Sequence, residues 1–463
     1  MLEVGNFANY KLPIANLMSV SPARAAAFDI LLRVEQQQAY ASELLHSTHT
    51  DHLSPADRGL CMEIVMGVLR WRSRLDERIA RFSFTPFRKL DAEVLTALRM
   101  GAYQIEFLQR IPARAAVNES VELVKRGRKA SAAPLTNVVL RKISQHPFTA
   151  EVAEHAEGPQ FLSQLAQKCA HPLWLVERWA AQFGAGRAAK ICAFDQTVPA
   201  TALRLRDAAA EQELRAENIE LAPGALLKSA RRVVSGDPTR TRACAAGRAY
   251  VQDEGSQLIA ALVGRGNRIL DCCAAPGGKT AAIAERNPQA RIIACDLHEH
   301  RARLMHRLVR APNVTIIAAD AVRLPLGGTF DRVLVDVPCS GTGTLARNPE
   351  IKWRLQSRDL ADLQTRQTAI LRAALAHLAP GGRLIYSTCS LEPEENEAVI
   401  ETVLRTANGS VRLLDCREEL ERLKQEGELA WDDIASLTQA QFLRTIPGVH
   451  PCDGFFAAIL ERS

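Results

Sequence analysis

Ile269-Leu270-Asp271-Cys272-Cys273-Ala274-Ala275-Pro276-Gly277-Gly278-Lys279-Thr280 opens on the apolar end of NRIL (267–270). It passes through small residues, a proline and two glycines, then enters the helix-like run TAAIAERN (280–287). An apolar run bounded by turn residues is the pattern of a buried parallel strand. Strand, tight loop and helix in that order aim a helix N-terminus and loop amides at a ligand over the carboxyl end of a sheet. A phosphate-cradling loop would read GxxxxGK[ST]. Gly278-Lys279-Thr280 supplies its end, but Cys273 stands where the first glycine belongs, so that reading fails. The dinucleotide pattern GxGxxG is absent as well.

Downstream of this loop the chain alternates strands and helices. ARIIACDL (290–297) ends near Asp296, NVTIIAADA (313–321) near Asp320, FDRVLVDVPC (330–339) at Cys339 and GGRLIYSTCS (381–390) near Cys389. VRLLDC (411–416) and DGFFAAILER (453–462) supply two more strands. Such alternation predicts a doubly wound sheet with right-handed crossovers, whose ligands sit outside the strand carboxyl ends. Gly277, Asp296, Asp320, Asp336, Cys339 and Cys389 all fall there. With these stretches added, the loop reads as one for S-adenosylmethionine, which carries one adenosine and needs no phosphate nest. Asp296, closing the second strand, suits a ribose diol, since a carboxylate accepts two hydroxyl hydrogen bonds. Asp320 suits the adenine amino group or a loop amide. Lys279 and Arg301 each suit holding a carboxylate.

Asp336-Val337-Pro338-Cys339-Ser340 and Ser387-Thr388-Cys389-Ser390 place a cysteine after each of two core strands. Carbon 5 of cytosine is a poor nucleophile. A thiolate adding at carbon 6 turns the ring into an enamine, and carbon 5 can then take a methyl group from a sulfonium donor. A base must afterwards remove the carbon-5 proton so that the thiol leaves. A carboxyl near the ring nitrogen favours the addition, and Asp336 is three residues from Cys339. The residues alone leave two structural cysteines open as the plain alternative.

The net charge is +6, and residues 1–145 carry all of it, with 20 Lys and Arg against 14 Asp and Glu. A basic excess in the N-terminal third suits an accessory nucleic-acid contact. No run reaches the roughly 18 apolar residues of a membrane span. No secretory leader is visible, and a cytoplasmic, monomeric protein is expected. The 11 cysteines show no CxxC spacing and no paired histidines, which argues against disulfides and a metal knuckle. No metal site is expected.

Residues 1–20 show no periodicity and read as a loose leader, with Met18 a possible start. Residues 21–145 are helical in pattern throughout. Ser21-Pro22 and Ser54-Pro55 are helix starts, and Asn118 opens a further helix. Residues 146–247 read as a small α+β connector. In it HPLWLVERWAAQFG (171–184) is a helix with Trp174 and Trp179 buried, and TALRLRD and ARRVVSG are strands. Residues 248–463 form the α/β part. The acidic run EPEENE (392–397) reads chiefly as a solvated helix start, with Asn396 able to orient the loop. Arg347 and Lys352, in RNPEIKW, stand where RNA phosphates could be met.

SPARAAAFDILLRV, LDAEVLTALRMGAYQIEFLQRIPARAAVNESVELVKR and LTNVVLRKI resemble the NusB-type helical RNA-binding domain. That resemblance implies RNA contact through basic surface, with Arg70, Arg72, Arg74, Arg88, Lys89, Arg126, Arg128 and Lys129 as candidates. DCCAAPGGKT, DVPCSGTGTLARNPEIKW, YSTCSLEPEENE and DGFF resemble the RNA cytosine-5 methyltransferase family called Nol1/Nop2/Sun. With the NusB-like part, the likeness is to the Sun/Fmu (RsmB-like) branch, over nearly the whole chain. The fold expected is a NusB-like all-α domain, an α+β connector and a Rossmann-like α/β class I methyltransferase domain. The resemblance implies methylation of a cytosine in small-subunit (16S) ribosomal RNA, free or in the assembling subunit. It implies Cys389 as nucleophile and Cys339 in product release. The donor is implied to contact Cys273, Ala274, Ala275, Pro276, Gly277, Gly278 and Lys279, together with Asp296, Asp320 and Asp336. Cys272 stands where the family loop has an apolar residue, and Val337 where alanine is frequent. Two rivals follow: Cys339 as nucleophile, or an RNA-binding assembly factor without activity.

Overall fold

The computed structural model describes residues 20–47, 50–146 and 159–463. Residues 1–19, with Met18, lie outside them, as does most of the stretch where the connector is expected to begin. The chain divides into two compact units, residues 1–155 and 156–463.

The first unit is helical: α1 (Pro22–Gln37), α2 (Ala41–Leu45), α3 (Pro55–Arg70), α4 (Arg72–Phe82), α5 (Ala92–Phe107), α6 (Ala113–Arg126) and α7 (Ala133–Gln145). Ser54 caps α3 by accepting the Asp57 amide, with proline in the first turn. Ser21 sits at the same position of α1 but its hydroxyl donates to Glu119 instead, tying α1 to α6. The helix expected from Asn118 begins at Ala113, and the short α2 has no counterpart in the sequence pattern. The helices close on one apolar core that includes Phe28, Ile64, Leu75, Leu98, Leu123 and Leu140.

Part of the basic set expected on this unit is buried or paired with a carboxylate. Arg70 is buried. Arg72 pairs with Glu35, Arg126 with Asp29 and Lys129 with Asp91. Arg88, Lys89, Arg126 and Arg128 are exposed.

The second unit starts with α8 (Pro159–Lys168), α9 (Leu173–Phe183) and α10 (Ala185–Asp195). Trp179 is fully buried, whereas Trp174 is only half-buried. A four-stranded antiparallel sheet follows, in the order β2-β3-β1-β4, from β1 (Ala202–Leu205), β2 (Glu220–Pro223), β3 (Ala230–Ser235) and β4 (Ala249–Val251). Its helices are α11 (Ala208–Ala216) and α12 (Arg242–Ala245). β4 lies past residue 247, so this sheet reaches into the stretch assigned to the α/β part. Helices α8–α10 share a core with Leu345, Ile351 and Leu391 of the α/β part.

The large sheet has the order β11-β12-β13-β9-β8-β5-β6-β7, with β10 paired to β13. After α13 (Glu254–Leu262) come β5 (Arg268–Asp271), α14 (Gly278–Arg286), β6 (Arg291–Asp296), α15 (Glu299–Leu308), β7 (Val314–Ala318) and β8 (Phe330–Asp336). Then come α16 (Ile351–Arg354), α17 (Asp359–Ala376), β9 (Leu378–Thr388), α18 (Glu397–Thr406), β10 (Val411–Leu414), α19 (Cys416–Gln425), β11 (Thr438–Gln439), β12 (Phe442–Arg444) and β13 (Phe456–Arg462). Strands β5–β9 are parallel, while β13 runs antiparallel to β9 and to β10 and β12. The sheet is therefore mixed. β5 lies between β6 and β8, so the strand order reverses there, and such a point opens a crevice at the carboxyl ends.

Candidate active site

The loop after β5 reaches that crevice. Gly277 has φ +106°, a left-handed conformation that L side chains resist, and a Cβ there would come within 2.4 Å of Val309. It opens α14 at Gly278. Asp271 closes β5 and accepts from Thr280 Oγ1 at 2.7 Å, which ties strand end to helix start. Burial pushes the Asp271 carboxyl up to about 7, against the Thr280 hydrogen bond. Cys272 is buried in the sheet core, in keeping with a small apolar role. Burial also raises the Cys273 thiol well above its usual range.

Asp296 is the last residue of β6 and is buried, accepting the His298 amide and an ion pair from Arg301 at 3.3 Å. Arg301 also donates to the Ala275 carbonyl, joining the loop to that carboxylate. Asp320 lies two residues beyond β7 rather than closing it, is exposed, and accepts the Val322 amide. Asp336 closes β8. Its two oxygens meet Lys279 Nζ at 2.8 Å and Ser387 Oγ at 2.7 Å. Burial alone would lower the Lys279 ammonium, but the Asp336 charge and hydrogen bond outweigh it and raise it on balance.

Strand register brings the two cysteine loops to the same edge of the sheet. Asp336 of β8 pairs with Ser387 of the neighbouring parallel β9, and the Val337 amide donates to the Ser387 carbonyl. Cys339 and Cys389 leave these two strands together, and their sulfurs are 3.3 Å apart. The hydrogen bond with Cys389 comes first, and burial second, in raising the Cys339 thiol well above its usual range. The Gly343 amide donates to the Cys389 carbonyl, and the Gly454 amide to the Gly343 carbonyl. A Cβ on Gly343 would come within 2.2 Å of the Gly454 carbonyl, so only glycine allows the DGFF turn this close.

The acidic run is not a solvated helix start. Glu392, Glu395 and Asn396 are fully buried. Glu395 Oε1 accepts from the Ser340 amide at 2.8 Å and from Gln367 Nε2 at 2.9 Å. Its Oε2 accepts from the hydroxyls of Ser340 and Ser390. Asn396 accepts from Thr388 Oγ1 at 2.6 Å and donates to the Ser390 carbonyl at 2.9 Å, so it does orient the Cys389 loop. Glu392 binds Arg178 and the Trp179 indole. Sequence reasoning misses Glu395, Gln367, Ser340 and Ser390. The chain carries only a partial signal: a serine follows each site cysteine.

Neither basic residue of RNPEIKW is presented to a polyanion. Lys352 is 1% exposed and donates to the Ala170 carbonyl. Arg347 bridges Asp253 and Asp453 at 3.1 and 2.8 Å. Among the described residues no group of acidic, histidine or cysteine side chains could hold a metal, and no helix is long and apolar enough to cross a membrane.

A Rossmann-like unit with this loop at the strand-order reversal, and chemistry-bearing residues along one edge, defines a methyltransferase. A family model described as 16S rRNA methyltransferase RsmB/F matches residues 261–461, and a NusB family model matches residues 21–145. The chain belongs to the family of ribosomal RNA small subunit methyltransferase B. A relative in Bacillus subtilis, called a probable ribosomal RNA small subunit methyltransferase B, is 36% identical over 404 residues, covering 84% of this chain and 89% of its own. A ribosomal RNA small subunit methyltransferase B of Pseudomonas syringae pv. tomato is 35% identical over 411 residues, covering 84% and 88%. A solved methyltransferase homologue from Pyrococcus horikoshii matches at TM-score 0.53 and 26% identity, covering 66% of this chain and 100% of that one.

Proposed function

We propose that this protein transfers a methyl group from S-adenosylmethionine to carbon 5 of a cytosine in 16S ribosomal RNA, through a covalent adduct on Cys389. One observation carries the reading. Two thiols touch at 3.3 Å at the ends of adjacent strands, on the same two strands that bring Ser387 to Asp336. A structural role needs neither the carboxylate nor a second thiol.

The residues present fit the methyl donor. Acceptors at Asp296 and Asp320 suit hydroxyl and amino groups, and the loop Cys273–Lys279 offers close backbone approach without a phosphate nest. S-adenosylmethionine supplies an electrophilic methyl group when bound. Cys389 attacks carbon 6 of a cytosine taken out of its stack, the carbon 5–carbon 6 double bond opens, and carbon 5 becomes the nucleophile. Asp336, held by Lys279 and Ser387, is the carboxyl that would meet the ring nitrogen and favour the addition. After methylation, carbon 5 loses its proton to a base while the bond from carbon 6 to Cys389 breaks, restoring the double bond. Cys339 Sγ is the group beside the departing sulfur. The substrate, as free RNA or in the assembling small subunit, places the protein in the cytoplasm.

The test is incubation with 16S ribosomal RNA and labelled S-adenosylmethionine, comparing wild type, Cys389→Ala and Cys339→Ala. Cys389→Ala is expected to form no adduct and transfer no label, and Cys339→Ala to accumulate protein joined to RNA. Adduct with Cys389→Ala and none with Cys339→Ala reverses the roles. No label transfer to unmodified RNA leaves an RNA-binding assembly factor.

A further inference from the structure

Cys339 and Cys389 sit on separate loops, and nothing in a strand register fixes two side chains to within contact once the strands have ended. What holds them lies one residue further on. Ser340 follows Cys339 and Ser390 follows Cys389, and both hydroxyls donate to Glu395 Oε2. The same carboxylate takes the Ser340 amide on Oε1. Gln367 donates both to that oxygen and to the carbonyl of Pro338, on the other side of Cys339, at 2.9 Å each. The Glu395 carbonyl accepts from Tyr386 Oη at 2.6 Å, three residues before Cys389. A fully buried carboxylate with four donors, drawn from both cysteine loops and α17, is costly unless its geometry is kept. Ser340 Oγ and Ser390 Oγ also touch at 3.0 Å, but two hydroxyls alone carry no charge to anchor them.

We propose that Glu395 is a positioning residue that braces the two cysteine loops, and that the brace serves product release more than nucleophilic attack. This rests on the two-cysteine reading above. Attack needs Cys389 against the base alone, whereas release needs both sulfurs together. Loosening the brace therefore penalises the second step.

The variants are Glu395→Gln and the double change Ser340→Ala with Ser390→Ala. The amide keeps one acceptor but turns an NH2 toward donors, and the fixed Ser340 amide cannot re-orient. Two readouts separate a positioning role from a merely structural one. In single turnovers with 16S ribosomal RNA, adduct formation is expected to change by less than about threefold while release slows about tenfold or more, since ~1 Å of misplacement can cost a step up to a hundredfold. Phenylarsine oxide reads the sulfur pair without RNA: arsenic forms bonds to both sulfurs and its oxygen leaves as water with the two thiol protons. Bridging of Cys339 to Cys389, mapped by mass spectrometry, is expected to slow by a similar factor in both variants. Equal slowing of formation and release, or bridging at the wild-type rate, overturns the proposal. If wild type forms no adduct, the catalytic reading fails and the arsenical result alone decides: slowed bridging supports the brace, and unchanged bridging overturns it. Should Glu395→Gln fail to fold, the double serine variant carries both readouts.

Discussion

Cys339 owes its protonation to its neighbour as much as to its burial. The hydrogen bond with Cys389 is the first cause of its raised titration and burial the second, so both favour the neutral thiol. The sign follows: removing Cys389 removes a raising cause, and the Cys339 thiolate then forms at lower pH. Alkylation of Cys339 by iodoacetamide, followed by peptide mass spectrometry, is expected to shift to lower pH in Cys389→Ala than in wild type. An unmoved profile would mean that the sulfurs do not share a proton in solution. Other residues show where one-letter reading fails. Lys352 reads as a phosphate contact because lysine is so seldom buried, yet it is inside, on a carbonyl. Asp296 and Asp336 end β6 and β8, as the apolar runs that stop at a carboxylate predict.

At the scale of elements, the strand–loop–helix unit is held by the Asp271 bond to Thr280 across the loop it frames. Burial raises the Asp271 carboxyl from 3.8 to about 7. Between those values the unfolded chain has lost this proton while the folded chain keeps it. This group's contribution to stability is therefore fully present below 3.8, falls as pH rises, and levels off above about 7. Asp271→Asn keeps an acceptor for Thr280 and removes the titration. Its unfolding free energy is expected to vary less with pH over that range, with a gain over wild type above neutral pH on the order of a few kcal/mol. A slope equal to that of wild type, measured by calorimetry, refutes the assignment. The parallel strands are legible as elements because each is a short apolar run, buried on both faces within the sheet though not at its edge strand β7. The short strands β11 and β12 are not, since three residues or fewer carry no period.

For the whole molecule, the first unit carries its own core and the basic excess, while the second carries the site. If residues 1–145 meet RNA, residues 156–463 alone bind it more weakly and with a shallower dependence on salt. The slope of log affinity on log salt is expected to fall by roughly 0.7–0.9 for each phosphate that the shortened chain no longer neutralises. Filter binding across a salt series measures it, and an unchanged slope removes RNA binding from the first unit. The class of fold and its helical and α/β parts were legible in the chain alone, because each is written in neighbouring residues: a period, a loop composition, a strand and the residue that ends it. That Glu392, Glu395 and Asn396 of the acidic run are core emerged from long-range packing alone. Its charge predicts solvent, and the partners that satisfy it lie far off in the chain. Ser340 is 55 residues before Glu395 and Gln367 is 28, while Arg178 and Trp179 are 214 and 213 before Glu392. A buried carboxylate is tolerable only with such donors, and no local pattern can show that they will arrive.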